Sequence, residues 1–149
     1  MQIDLRNVRT RWINVDKDEE KARQMNELLD GLGFTNHERF NALTEDTEFG
    51  LTKEKSPDWF VTNMCGMSHR KLLNETIIKD DNPILILEDD IEVESSSWIN
   101  EFPIPDDADA VYLGTSHSDM RYTAIDQGNG WSKIDGVFGT HAILHLNKK

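Results

Sequence analysis

Ile84-Leu85-Ile86-Leu87 runs directly into Glu88-Asp89-Asp90. Four large aliphatic residues in a row leave no polar face, so the run reads as a strand buried on both sides of a mostly parallel sheet. Asp80-Asp81-Asn82-Pro83 breaks the segment before it. Carboxylates are costly to bury and repel one another. A string of them at the end of a buried strand needs compensation, and the C-terminal edge of an open α/β sheet is where ligands bind. Glu92 and Glu94 follow closely and add to the charge. A hard cation, Mg²⁺ or Mn²⁺, would offset the repulsion by using one or two of these carboxylates together with substrate phosphates. The same residues also fit a solvated acidic turn, and spacing alone does not separate the two readings.

Upstream of this run, residues 11–15 (RWINV) read as a short strand. Asp16, with Glu19 three residues on, gives a helix start of the capping-box type. Ala22, Met25, Leu28, Leu29 and Leu32 then recur at helical spacing, and Gly31 and Gly33 offer a stop. Residues 37–43 suit a second strand, and residues 44–55, polar and containing Gly50, suit a loop. Ser56-Pro57 provides a cap and a first-turn proline for a helix whose stripe is Phe60, Met64, Met67, Leu72, Leu73 and Ile77. Downstream, residues 108–113 (ADAVYL) read as a strand stopped by Gly114, residues 119–133 as a polar loop, and residues 137–146 as the last strand. Strand, tight turn and helix at the start point to an α/β fold, in one domain over residues 1–149.

Composition narrows the function. The net charge is −12, so nucleic acid and anionic membrane surfaces are repelled on average. A phosphate-bearing ligand is still accessible if a divalent cation lies between it and the protein. One cysteine, Cys65, allows neither an internal disulfide nor a cysteine-rich zinc site. The first twelve residues lack the apolar core of a signal peptide, and no apolar run approaches bilayer length. The expected setting is the cytoplasm, without membrane insertion.

Five segments in order carry a resemblance. They are Trp12-Ile13-Asn14-Val15-Asp16 with Lys17 after it, Met64-Cys65-Gly66-Met67-Ser68-His69, Ile86-Leu87-Glu88-Asp89-Asp90, Asp109-Ala110-Val111-Tyr112-Leu113-Gly114, and Phe138-Gly139-Thr140-His141-Ala142. Together they resemble glycosyltransferase family 25, whose members build bacterial lipopolysaccharide and galactosylate collagen. The second segment departs from the family pattern by reading Cys-Gly where Gly-Cys is usual.

The resemblance implies a GT-A fold, a Rossmann-like nucleotide-diphospho-sugar transferase sheet flanked by helices. It implies a UDP-sugar donor, Mn²⁺ or Mg²⁺, a glycan or similar acceptor, and hexose transfer with inversion. The acidic segment then matches a DxD-type element. Asp90 is the expected metal ligand, with Asp89 next, while Glu88 or Asp89 holds the ribose or a metal-bound water. Family members usually run beyond the last strand of this chain, so the C-terminal acceptor part is expected to be missing.

Other residues have both a functional and a packing reading. Asn14 and Asp16 close the first strand and fit nucleoside contact; capping explains Asp16 equally well. His69 fits a contact to donor phosphate or to the acidic segment, or a packed core histidine, and Cys65 fits a small buried hydrophobe. His141 and His145 alternate onto one face of the last strand, where His141 is a candidate third metal ligand and structural histidine is the alternative. Asp135, before Gly136, fits a base for an acceptor hydroxyl or a turn residue. Trp131 fits stacking on a sugar or simple packing. The glycines at 128 and 130 supply the mobility of a donor-site lid. Two further functional readings stand beside the transferase: a non-catalytic sugar-nucleotide-binding remnant or partner-binding module, and a metal-dependent phosphoryl-transfer or hydrolase domain. The last shares the acidic cluster but leaves the other four segments unexplained.

Overall fold

A computed structural model describes residues 2–45, 60–77, 82–97, 99–114, 123–128, 130–135 and 141–146. The chain opens with a short strand, β1 (Gln2–Ile3), and a 3-10 turn, Leu5–Asn7, capped by Asp4. The first strand of the central sheet is β2 (Arg9–Asn14), two residues earlier than its sequence suggests. Helix α1 (Glu19–Leu32) follows after a turn closed by Asp18 N–H donating to Val15 O at 2.9 Å. That turn moves the cap. Asp18, not Asp16, accepts from the Lys21 N–H, and Asp16 stays in the turn with an exposed side chain. At the other end, Gly33 adopts φ 83°, and its N–H closes on the last carbonyls of the helix. A side chain at that left-handed angle would be strained.

Strand β3 (His37–Asn41) and helix α2 (Phe60–Ile77) come next. The helix start expected at Ser56-Pro57 and the break expected at residues 80–81 lie outside the described residues. Strand β4 is Ile84–Glu88, as the aliphatic run demands. A two-residue strand, β5 (Phe102–Pro103), pairs antiparallel with β1, and β6 (Ala110–Gly114) follows. The region read as a polar loop contains a hairpin instead, β7 (Thr123–Asp126) with β8 (Ser132–Asp135). Gly128 and Gly130, at φ 72° and 86°, form its turn, with Gln127 N–H bonded to Trp131 O at 2.9 Å. Polar sequence hid the pairing, because a hairpin wet on one side has no continuous apolar run to betray it. The last strand, β9, is Ala142–His145, and residues 136–140 lie outside the described part.

The sheet order is β3-β2-β4-β9-β6. β3, β2 and β4 are parallel, and β9 runs antiparallel between β4 and β6. Among the described residues the result is a mixed α/β architecture with a central mixed sheet and two α-helices. Strand alternation divides the core in two. Trp12, Leu85, Leu87 and Leu144 pack with Ala22, Met25 and Leu29 on the α1 side. Ile13, Ile84 and Ile86 pack with Leu72 on the α2 side. The parallel strands β2 and β4 end, and antiparallel β9 begins, at one edge of the sheet. Asn14, Glu88 and His141 therefore arrive there from three different parts of the chain.

Candidate functional site

Alternation assigns Glu88 to the same face as Ile84 and Ile86, the α2 side. Its backbone N–H donates to His141 O at 2.9 Å, which joins the end of β4 to the start of β9. Its carboxylate faces two ways. Oε1 lies 3.1 Å from His69 Nε2 and 3.2 Å from Cys65 Sγ. Oε2 lies 3.1 Å from His141 Nδ1. Cys65 and His69 are four residues apart on α2, so one face of the helix presents both. His69 is buried, and Ser68 beside it fixes the helix: its hydroxyl accepts from Leu43 N–H at 2.8 Å and donates to Met64 O at 2.7 Å.

Asp89, past the end of the strand, meets a different set. Asn14 Nδ2 donates to one carboxylate oxygen at 2.5 Å, and Lys21 Nζ lies 3.3 Å from the other. Asn14 is 1 % exposed, so its amide is a fixed donor at the end of β2. Sequence reasoning missed Lys21. Its signal was a cation in the first turn of α1, where the helix dipole disfavours positive charge unless a carboxylate is near.

Asp90 is half-exposed and lies 3.2 Å from His141 Nδ1 through Oδ1. Glu88, Asp90 and His141 thus bring three ligand atoms within 4.8 Å of one another. Asp16 sits at the same edge, but its carboxylate is exposed and stays apart from this group; its carbonyl accepts from Arg39 Nη2 at 3.1 Å. Asp135 ends β8, and its side chain lies outside the described part. His145 pairs with Ile84, at the far end of β4 from Glu88. Burial pushes its imidazole pKa down, and the nearby His69 adds to the shift.

Beside the cluster lies a groove of about 850 Å³. Asp90, Glu92, Glu94 and His141 give it an acidic part, and Leu29, Leu85, Leu87, Phe102 and Trp131 an apolar part. Trp131 meets Phe102 of β5 edge-to-face, with ring centroids 5.6 Å apart at 86°, so it packs against β5 and also lines the groove. Ile134, next to Asp135, lines it too. Among the described residues no helix is long and apolar enough to cross a membrane.

The arrangement offers oxygen and nitrogen ligands for a divalent cation, a fixed amide-carboxylate pair for hydroxyl recognition, and space for a substrate next to both. A family model described as "Glycosyltransferase family 25 (LPS biosynthesis protein)" matches residues 12–124. That span includes Asn14, Lys21, Cys65, His69 and the Glu88-Asp89-Asp90 segment, and it stops before His141. No curated protein matches the chain.

Proposed function

Because the chain belongs to glycosyltransferase family 25, we propose that it transfers a hexose from a UDP-sugar to a glycan acceptor, with inversion, on a GT-A arrangement of the sheet described above. The observation that carries this reading is the meeting of Glu88, Asp90 and His141 at the edge of the sheet, beside the Asn14–Asp89 pair. Two carboxylates and an imidazole form a donor set that suits Mn²⁺, with Mg²⁺ the harder alternative. A bound cation would neutralise charge on the leaving diphosphate.

The chain's own groups then divide the remaining work. Asp89, held by Asn14 and charge-balanced by Lys21, keeps its carboxylate in place to accept from the ribose hydroxyls. Its ion pair with Lys21 makes it a weaker metal ligand than Asp90, whose carboxylate faces His141. The groove supplies room for the sugar and the acceptor, with Trp131 as an apolar surface for a sugar ring. An inverting displacement needs a base at the acceptor hydroxyl. Asp135, at the end of β8, is the candidate for removing that proton.

Few protein ligands surround the cation, so its binding should need the diphosphate. Thermal shift with Mn²⁺, UDP-sugars, and both together tests this. Mn²⁺ plus the matching donor is expected to stabilise more than the two separate effects added together. Donor at about a hundred times its dissociation constant contributes roughly 2.7 kcal/mol. Acceptor-dependent release of UDP should accompany it. Identical stabilisation by Mn²⁺ with and without any UDP-sugar would overturn the reading.

A further inference from the structure

Glu88 turns one oxygen away from the proposed donor cation, and the groups it meets there differ in kind. Cys65 Sγ, His69 Nε2 and Glu88 Oε1 lie within 4.8 Å of one another, and the two contacts to Oε1 are 3.2 and 3.1 Å. Thiolate, imidazole and carboxylate are the ligand types of a borderline cation, not of Mg²⁺. Bond lengths of about 2.3 Å to sulfur and 2.0–2.1 Å to nitrogen or oxygen give tetrahedral edges of roughly 3.3–3.6 Å. The two contacts to Oε1 need to open by only a few tenths of an ångström, and Sγ and Nε2 already lie within 4.8 Å of each other.

Two structural facts favour a ligand there over a simple packed cluster. Cys65 and His69 are presented together by one face of a regular helix, and Glu88 comes from the strand that helix covers. His69 is 6 % exposed, yet its Nδ1 has no hydrogen-bond partner among the described residues, so Glu88 is its only polar anchor. Nε2, the nitrogen that faces Cys65 and Glu88, is thus the one by which this buried ring is held, and a bond from it to a cation would hold the ring more firmly.

We propose that Cys65, His69 and Glu88 form a second, inner cation site that takes Zn²⁺, with Glu88 bridging it to the Glu88–Asp90–His141 group. Binding replaces the thiol proton of Cys65, which is released to solvent, and leaves a fourth position for water. The site is independent of the glycosyl-transfer reading, since it needs neither donor nor acceptor.

The chain has a single cysteine, so thiol chemistry reports on this site alone. The first measurement is alkylation of wild-type protein by iodoacetamide, followed by intact mass, with and without Zn²⁺. Labelling is expected to slow by at least about tenfold at saturating Zn²⁺, the smallest effect a direct ligand should have. The second is Co²⁺ titration, where a thiolate-to-cobalt charge-transfer band in the near ultraviolet should appear. The third compares Zn²⁺ affinity, by competition with a chelating dye, in Cys65→Ser and in Glu27→Gln, an exposed position on α1. Cys65→Ser should weaken it at least about tenfold and Glu27→Gln should leave it within about twofold. Unprotected alkylation with no thiolate band would overturn the site, whatever the variants do. So would equal Zn²⁺ affinity in wild type and Cys65→Ser.

Discussion

Glu88, Asp89 and Asp90 are adjacent in sequence, but their neighbours differ, with His141 alone shared, between Glu88 and Asp90. Glu88 faces α2 and β9, Asp89 faces Asn14 and Lys21, and Asp90 faces His141. Asp90→Asn should therefore act on ligand binding and not on folding. The carboxylate is half-exposed, and its removal relieves repulsion from Glu88. Donor affinity in Mn²⁺ is expected to fall about tenfold or more, with the melting temperature equal to or above wild type. Calorimetry with a UDP-sugar checks it, and unchanged affinity would move the cation to other ligands. The acidic string itself was legible, because it follows directly on a doubly buried strand, although a solvated acidic turn fitted it as well. Their separate partners were not, since side-chain direction past the end of a strand follows no sequence period. Lys21 stayed hidden for the same reason: it answers to a residue 68 positions away.

At the scale of elements, Ser68 couples α2 to the segment after β3. It is fully buried, and its hydroxyl serves Leu43 N–H and Met64 O together. Ser68→Ala leaves the Leu43 N–H without that partner, a loss of about 1–3 kcal/mol. Urea unfolding should show a lower midpoint with an unchanged slope. A change below about 0.5 kcal/mol would show that Leu43 N–H does not depend on this bond. Both helices and β4 were legible from periodicity and from the aliphatic run. The capping aspartate was misplaced by two residues, because Asp16 and Asp18 offer the same side chain and only the turn between Val15 and Asp18 chooses between them. The β7–β8 pairing was lost in polar sequence, and the antiparallel direction of β9 leaves no trace in composition or period.

For the molecule as a whole, charge and one half-buried histidine pull in opposite directions as pH falls. A net charge of −12 means that protonating carboxylates relieves self-repulsion. His145 opposes this. Its folded pKa is held below the ordinary 6.5 by burial and then by His69. The unfolded chain therefore binds that proton first as pH drops. The stability His145 contributes is present above about pH 6.5, and falls progressively below it until the folded pKa is reached. His145→Gln should remove this dependence, so wild type should lose stability relative to the variant as pH falls below about 6.5. Parallel pH profiles of the two proteins would contradict it.

Strand β9 occupies an inner position in the sheet although it is the last strand described in the chain. Leu87 pairs with Ala142, so this edge of β4 waits for a partner more than fifty residues downstream, and among the described strands β6 has none until then. At a synthesis rate of roughly 5–20 residues per second, that interval lasts several seconds on the ribosome. During it, the β4 edge of Ile84-Leu85-Ile86-Leu87 is an unpaired template of the kind that recruits other chains. His141 enters with β9, so the cation group is completed only when the sheet is. A nascent chain caught before that point would be aggregation-prone and unable to assemble the group, which ties the acquisition of ligand binding to the completion of the sheet.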